Sequence, residues 1–141
     1  MLHRSVAVWF AIASSTSGLM AQATIVSGGG AALQNAINAA VAGDELDVQP
    51  GTYTPVTCGK GIRITLRSGA EVGALFSTTV ALLIAGVPAT QTCVLAGGRV
   101  FGISVTQSSG TVVIDQTAVE FATKLRSTGS HATRAPVCRM L

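Results

Sequence analysis

Carboxylates and aromatic rings are scarce in this chain. Its 141 residues hold six Asp and Glu, and aromatics make up 4%. The six carboxylates are Asp44, Glu45, Asp47, Glu71, Asp115 and Glu120. A glycoside hydrolase needs two carboxylates facing each other across a groove, and a calcium site needs several converging oxygens. Spacing alone assembles neither set. Charged residues amount to only 11%, which argues against a helical bundle, whose surface normally carries many Glu and Lys. There is no CxxC pair and no His near Cys58 or Cys93, and His131 lies in a compositionally different tail. A zinc site is therefore not expected, and no cofactor is implied. Gly28-Gly29-Gly30 lacks a following Lys-Ser/Thr, so it does not read as a phosphate loop. No Ser/His/Asp arrangement is evident.

What remains is a mixture of Gly, Ala, Val, Ser and Thr, which favours stacked strands. The net charge of +3 is unevenly placed. Up to Glu120 the basic residues are Arg4, Lys60, Arg63, Arg67 and Arg99, balanced by all six acids. Lys124, Arg126, Arg134 and Arg139 follow with no carboxylate. The basicity belongs to that tail and does not mark the body as a nucleic-acid binder.

The first 23 residues have the layout of an export signal. His3 and Arg4 precede an apolar core from Val6 to Ala13, and Ala21-Gln22-Ala23 offers a small-x-small cleavage pattern. The apolar core is too short to span a bilayer. The expectation is a secreted or cell-surface protein with no membrane attachment after cleavage. Export permits a disulfide. Of Cys58, Cys93 and Cys138, the first two sit in the patterned body and are the expected pair, the alternative being that each is a small buried filler.

The body, residues 24–120, alternates short strand patterns with glycine-rich corners. Thr24 to Ser27 reads as a strand, and 31–42 as a helix with Leu33, Ile37, Ala40 and Val41 on one face. Gly43 is placed to end that helix, and Gln34, Asn35 and Asn38 fall off the apolar face as solvated amides. Glu45 to Gln49 alternates as a half-buried strand, and Pro50-Gly51 turns the corner. The Ile62 to Arg67 run is the clearest strand, with Ile62, Ile64 and Leu66 inward and Arg63, Thr65 and Arg67 outward. Further strands are expected at Val80–Ile84, Thr92–Leu95, Val100–Val105 and Thr111–Asp115. Strands recurring every ten to twenty residues, roughly, suit a solenoid or a sandwich. A helix before the first strand turn favours the solenoid, whose open end needs covering. Alternation stops near Phe121, so 121–141 reads as a disordered basic tail or as the point where later coils are lost.

Four runs carry a family resemblance: Leu33-Gln34-Asn35-Ala36-Ile37-Asn38-Ala39-Ala40, Ala42-Gly43-Asp44-Glu45-Leu46-Asp47-Val48, Pro50-Gly51-Thr52-Tyr53, and Lys60-Gly61-Ile62-Arg63-Ile64-Thr65-Leu66-Arg67. Together they resemble the N-terminal cap and first coils of pectate-lyase-like proteins. The resemblance implies an all-β fold, a right-handed single-stranded parallel β-helix with a short capping α-helix. That superfamily includes pectate lyases, polygalacturonases and non-enzymatic surface proteins, so it implies little about chemistry. Its enzymes carry their carboxylates or calcium sites on later coils, and this body lacks such a set. The expected function is therefore an exported β-helix protein or fragment without a complete active site, in a structural or carbohydrate-contacting role. The alternative is a truncated polysaccharide lyase or glycoside hydrolase, with Asp115 as acid or base and Arg63 and Arg67 as anion binders. Arg63, Arg67 and nearby Lys60 form an outward basic stripe that could hold an acidic polysaccharide, although such charges also keep a strand face soluble. Tyr53 is expected to pack over the Pro50 corner.

Overall fold

A computed structural model of the chain describes residues 22–74 and 79–120. The export-signal core and the basic tail lie outside the described residues. The described chain contains ten strands and one helix. These are β1 (Thr24–Val26), α1 (Ala32–Ala39), β2 (Glu45–Val48), β3 (Gly51–Tyr53), β4 (Val56–Cys58), β5 (Arg63–Val72), β6 (Leu82–Ala85), β7 (Thr92–Val100), β8 (Ile103–Thr106), β9 (Thr111–Asp115) and β10 (Ala118–Val119). Every strand pairing is parallel. That excludes a sandwich, whose sheets are antiparallel. The molecule is a parallel β-solenoid of about four turns.

Each turn visits three faces. On the first face β1, β2, the start of β5, the start of β7 and β9 stack in register, so that Leu46, Ile64, Leu95 and Ile114 form one column. On the second, β3, the end of β5, the end of β7 and β10 align Tyr53, Val72, Val100 and Val119. On the third, β4, β6 and β8 align Val56, Leu82 and Ile103, and beside them Cys58, Ile84 and Val105. The alternation of each strand sends these columns inward, where they join in one buried core.

The corners differ in length. Between the second and third faces the chain crosses with Thr54 and Pro55 in one turn and with Phe101 and Gly102 in another, but the turn between them uses residues 73–81. The expected single strand over Val100–Val105 is thus two strands. Gly102, at φ +97°, makes the bend that divides them. Conversely, the strand expected at Thr92–Leu95 runs on to Val100, because Gly97 and Gly98 bend the backbone and pairing with β5 resumes beyond them at Arg99 in a shifted register.

The helix lies across the open end and buries Leu33, Ile37 and Ala40. It is shorter than the expected 31–42. Ala40 already has extended backbone (φ −65°, ψ 148°), and Val41 is 66% exposed instead of facing the core. Gly43 (φ +95°) is not the residue that ends the helix. It belongs to the following turn, where its N–H donates to Gly61 O at 2.7 Å. The last helical carbonyls are taken instead by Lys60, whose Nζ donates to Ala40 O at 2.7 Å and to Asn38 O at 3.3 Å. A cation at a helix C-terminus is favoured by the carbonyl dipoles.

Gln34 is not the solvated amide its sequence position suggests. Its Oε1 accepts from Thr57 N at 2.7 Å, and its Nε2 donates to Thr57 O at 3.2 Å. The amide thereby stands in for a neighbouring strand along the free edge of β4, which an unpaired edge otherwise leaves open to association.

Candidate functional site

The outer surface of the first two faces carries all the ion pairs found among the described residues. Outward positions on adjacent strands stand side by side at the ladder spacing, so an acid on one rung meets a base on the next. Glu45 stands opposite Arg63, with Arg63 Nε and Glu45 Oε1 3.8 Å apart. Arg67 reaches back to Asp47 with two bonds, from Nε to Oδ1 at 2.6 Å and from Nη2 to Oδ2 at 2.8 Å. Glu71 stands opposite Arg99, whose Nη1 is 3.1 Å from Glu71 Oε1, while Arg99 Nε is 3.3 Å from Glu120 Oε1. Glu71 is therefore not the isolated carboxylate its sequence spacing suggests. Parallel stacking brings it within reach of a partner 28 positions away.

The Asp47–Arg67 pair is the tightest of these. The hydrogen bonds from the Arg67 guanidinium hold the Asp47 carboxyl below its ordinary value; desolvation opposes them, and the positive charge of Arg67 reinforces them by a smaller amount. A carboxylate so held stays ionised at neutral pH and is a poor proton donor.

A concavity of about 400 Å³ opens beside this ladder, at the corner between the first and second faces. Its cause is a mismatch of corner lengths. Leu66 pairs with Gly97 and Glu71 with Arg99, so four residues of β5 (Arg67 to Ala70) stand against Gly98 alone. The longer corner overhangs the tighter one. The tight corner depends on glycine: a Cβ on Gly97 (φ +71°) would lie 2.5 Å from Leu66 O, and one on Gly98 (φ +60°) would meet the Leu66 side chain. Ser68, Gly69, Ala70, Glu71, Gly98 and Arg99 line the groove. Backbone, the Ser68 hydroxyl and one carboxylate–guanidinium pair are its polar groups, a surface able to hydrogen-bond hydroxyls.

The sequence-predicted basic stripe is only partly assembled. Arg63 and Arg67 share the outer face, each beside a carboxylate of the preceding rung. Lys60 is not with them, because its ammonium is bound to the helix end. Asp44 serves its own turn, its carboxylate accepting from Val41 N at 2.8 Å. Tyr53 does not cover the corner from outside. It is 1% exposed, and its hydroxyl donates towards Gln49 O (2.8 Å) and Val26 O (3.2 Å). Sequence reasoning missed Arg99, Glu120 and the groove. The available signal was Gly97-Gly98 inside an otherwise continuous strand pattern, which marks a close backbone approach.

Cys58 and Cys93 are free thiols, both fully buried, and they are hydrogen-bonded to each other. Cys58 Sγ also lies 3.3 Å from Lys60 O. The Cys93 thiol lowers the Cys58 pKa; burial opposes this, and the Lys60 backbone and ammonium reinforce it. Cys93 is pushed upward by the same bond and then by burial. Among the described residues no three His, Cys, Asp or Glu side chains converge as metal ligands.

No family model, no characterised protein and no solved structure matches this chain.

Proposed function

We propose that this chain is a non-catalytic scaffold of the pectate-lyase-like type, exported to the cell surface or beyond. One observation carries the reading. Glu45, Asp47, Glu71 and Glu120 each lie against an arginine of a neighbouring rung, and Asp115, the one outward carboxylate of the described strands without an ion pair, stands opposite Ala96 with no second carboxylate beside it. A face built this way stitches turns together, engages four of its acids and leaves Asp115 without the second carboxylate that acid–base hydrolysis of a glycoside needs. The supporting measurement is incubation of the purified full chain with pectic and neutral polysaccharides, followed by assay for new reducing ends and unsaturated products. The scaffold reading expects neither, and turnover by the pure protein refutes it.

A second reading, saccharide contact without turnover, is favoured by the groove beside Glu71 and Arg99. Contact there would rest on hydroxyl hydrogen bonds, whereas the stripe of Arg63, Arg67 and Lys60 would select acidic chains. Affinity electrophoresis separates the two. Retardation by neutral polysaccharide that is lost in Arg99→Ala supports the groove. Retardation only by polygalacturonate, lost in Arg63→Ala/Arg67→Ala, restores the stripe. Unretarded migration in both gels removes carbohydrate contact and leaves the scaffold.

A further inference from the structure

The ion-pair ladder and the groove account for the outer face; the two thiols in the core are a separate matter. Cys58 closes β4 on the third face, and Cys93 follows Thr92 at the start of β7 on the first. They meet at the corner Gly59 to Ile62, which leads from one turn to the next. That corner is held in place from both directions. Val94 N donates to Ile62 O at 2.9 Å, Ile62 N donates to Lys60 O at 3.1 Å, and Gly61 N donates to Gln91 Oε1 at 2.7 Å. Gly61 has no room for a side chain, since a Cβ there would lie 2.6 Å from that of Gln91. The fold thus seats two fully buried cysteines at one close-packed corner, Cys58 against Lys60 O and Cys93 next to the Val94 N–H that bonds Ile62 O.

We propose that Cys58 and Cys93 are the site of an oxidative cross-link, a disulfide through the solenoid interior that ties β4 to β7. The loop it closes contains all of β5 and β6, so it restrains an entire turn of the unfolded chain. A small-molecule disulfide such as oxidised glutathione is a sufficient oxidant. The Cys58 thiolate attacks one glutathione sulfur, breaking the S–S bond and releasing one glutathione thiolate. Cys93 then gives its proton to solvent and attacks the Cys58 sulfur, displacing the second glutathione. Two protein thiols and one small disulfide become one protein disulfide and two glutathione thiols, with two electrons passed to glutathione. Because both sulfurs are shut inside the core, the exchange takes place while the turns are stacking. The inference does not depend on the scaffold reading.

The test uses the full chain carrying Cys138→Ser, reduced and denatured, then refolded in a mixture of reduced and oxidised glutathione. Trypsin digestion without reductant would yield one linked pair, Ser5 to Lys60 joined to Ser68 to Arg99, that separates on reduction. Reducing the refolded protein would lower its Tm by on the order of 10 °C or more. Two free thiols or two glutathione adducts in the refolded protein overturn the proposal. So does a link that forms equally well in urea, where no fold brings the sulfurs together.

Discussion

Tyr53 uses its ring and its hydroxyl for different ends. The ring joins the inward column of the second face, and the hydroxyl donates to carbonyls of two other segments. Val26 O also accepts from Gln49 N, but Gln49 O has no such second bond among the described contacts. Tyr53→Phe should therefore cost about 1 kcal/mol, the usual value of one buried hydrogen bond, read by denaturant unfolding. Gly97→Ala should cost more, about 2 kcal/mol, since it adds a left-handed side chain and a clash with Leu66 O. Asp47 gives a pH-dependent case. Its folded pKa lies below the ordinary 3.8, so the stabilisation by Arg67 is present above that value and disappears as pH falls through the folded one. The Tm of Asp47→Asn should fall below that of wild type at pH 6–7, and the two curves should converge in strong acid. High salt should narrow the gap at neutral pH, because Arg67 is 59% exposed.

At the scale of elements, the helix acts as a lid whose work is done by few residues. Leu33 and Ile37 fill the end of the core, so Leu33→Ala should cost about 2–5 kcal/mol. Gln34 protects rather than packs. Gln34→Ala should leave Thr57 N–H and C=O unpaired along β4 and quicken self-association, followed by sedimentation velocity. Much of this was readable from sequence: the helix, its inward Leu33 and Ile37, and the alternation of Ile62, Ile64 and Leu66 follow from local periodicity. The ends of the helix were not, because Lys60, twenty positions beyond Ala40, is what binds its last carbonyls. Glu71 and Arg99 were illegible for the same reason. Their partnership exists only once the ladder sets which rung lies beside which, and single-sequence patterns do not encode that register.

For the whole molecule, parallel stacking makes each turn the template of the next. Its longest ladder joins β5 and β7, in the middle of the stack. Leu95→Ala, in that ladder, should shift one cooperative transition rather than split it in two, as seen by circular dichroism during heating. The corner lengths complete the picture. At that vertex two residues separate β3 from β4, nine separate β5 from β6, and two separate β7 from β8, while the columns on either side keep their alignment. Sequence can thus be lengthened at that vertex without displacing a rung. The body behaves like a spiral staircase whose landings can be widened while the treads stay fixed, and the vertex between the second and third faces is the natural port for grafting foreign segments onto it.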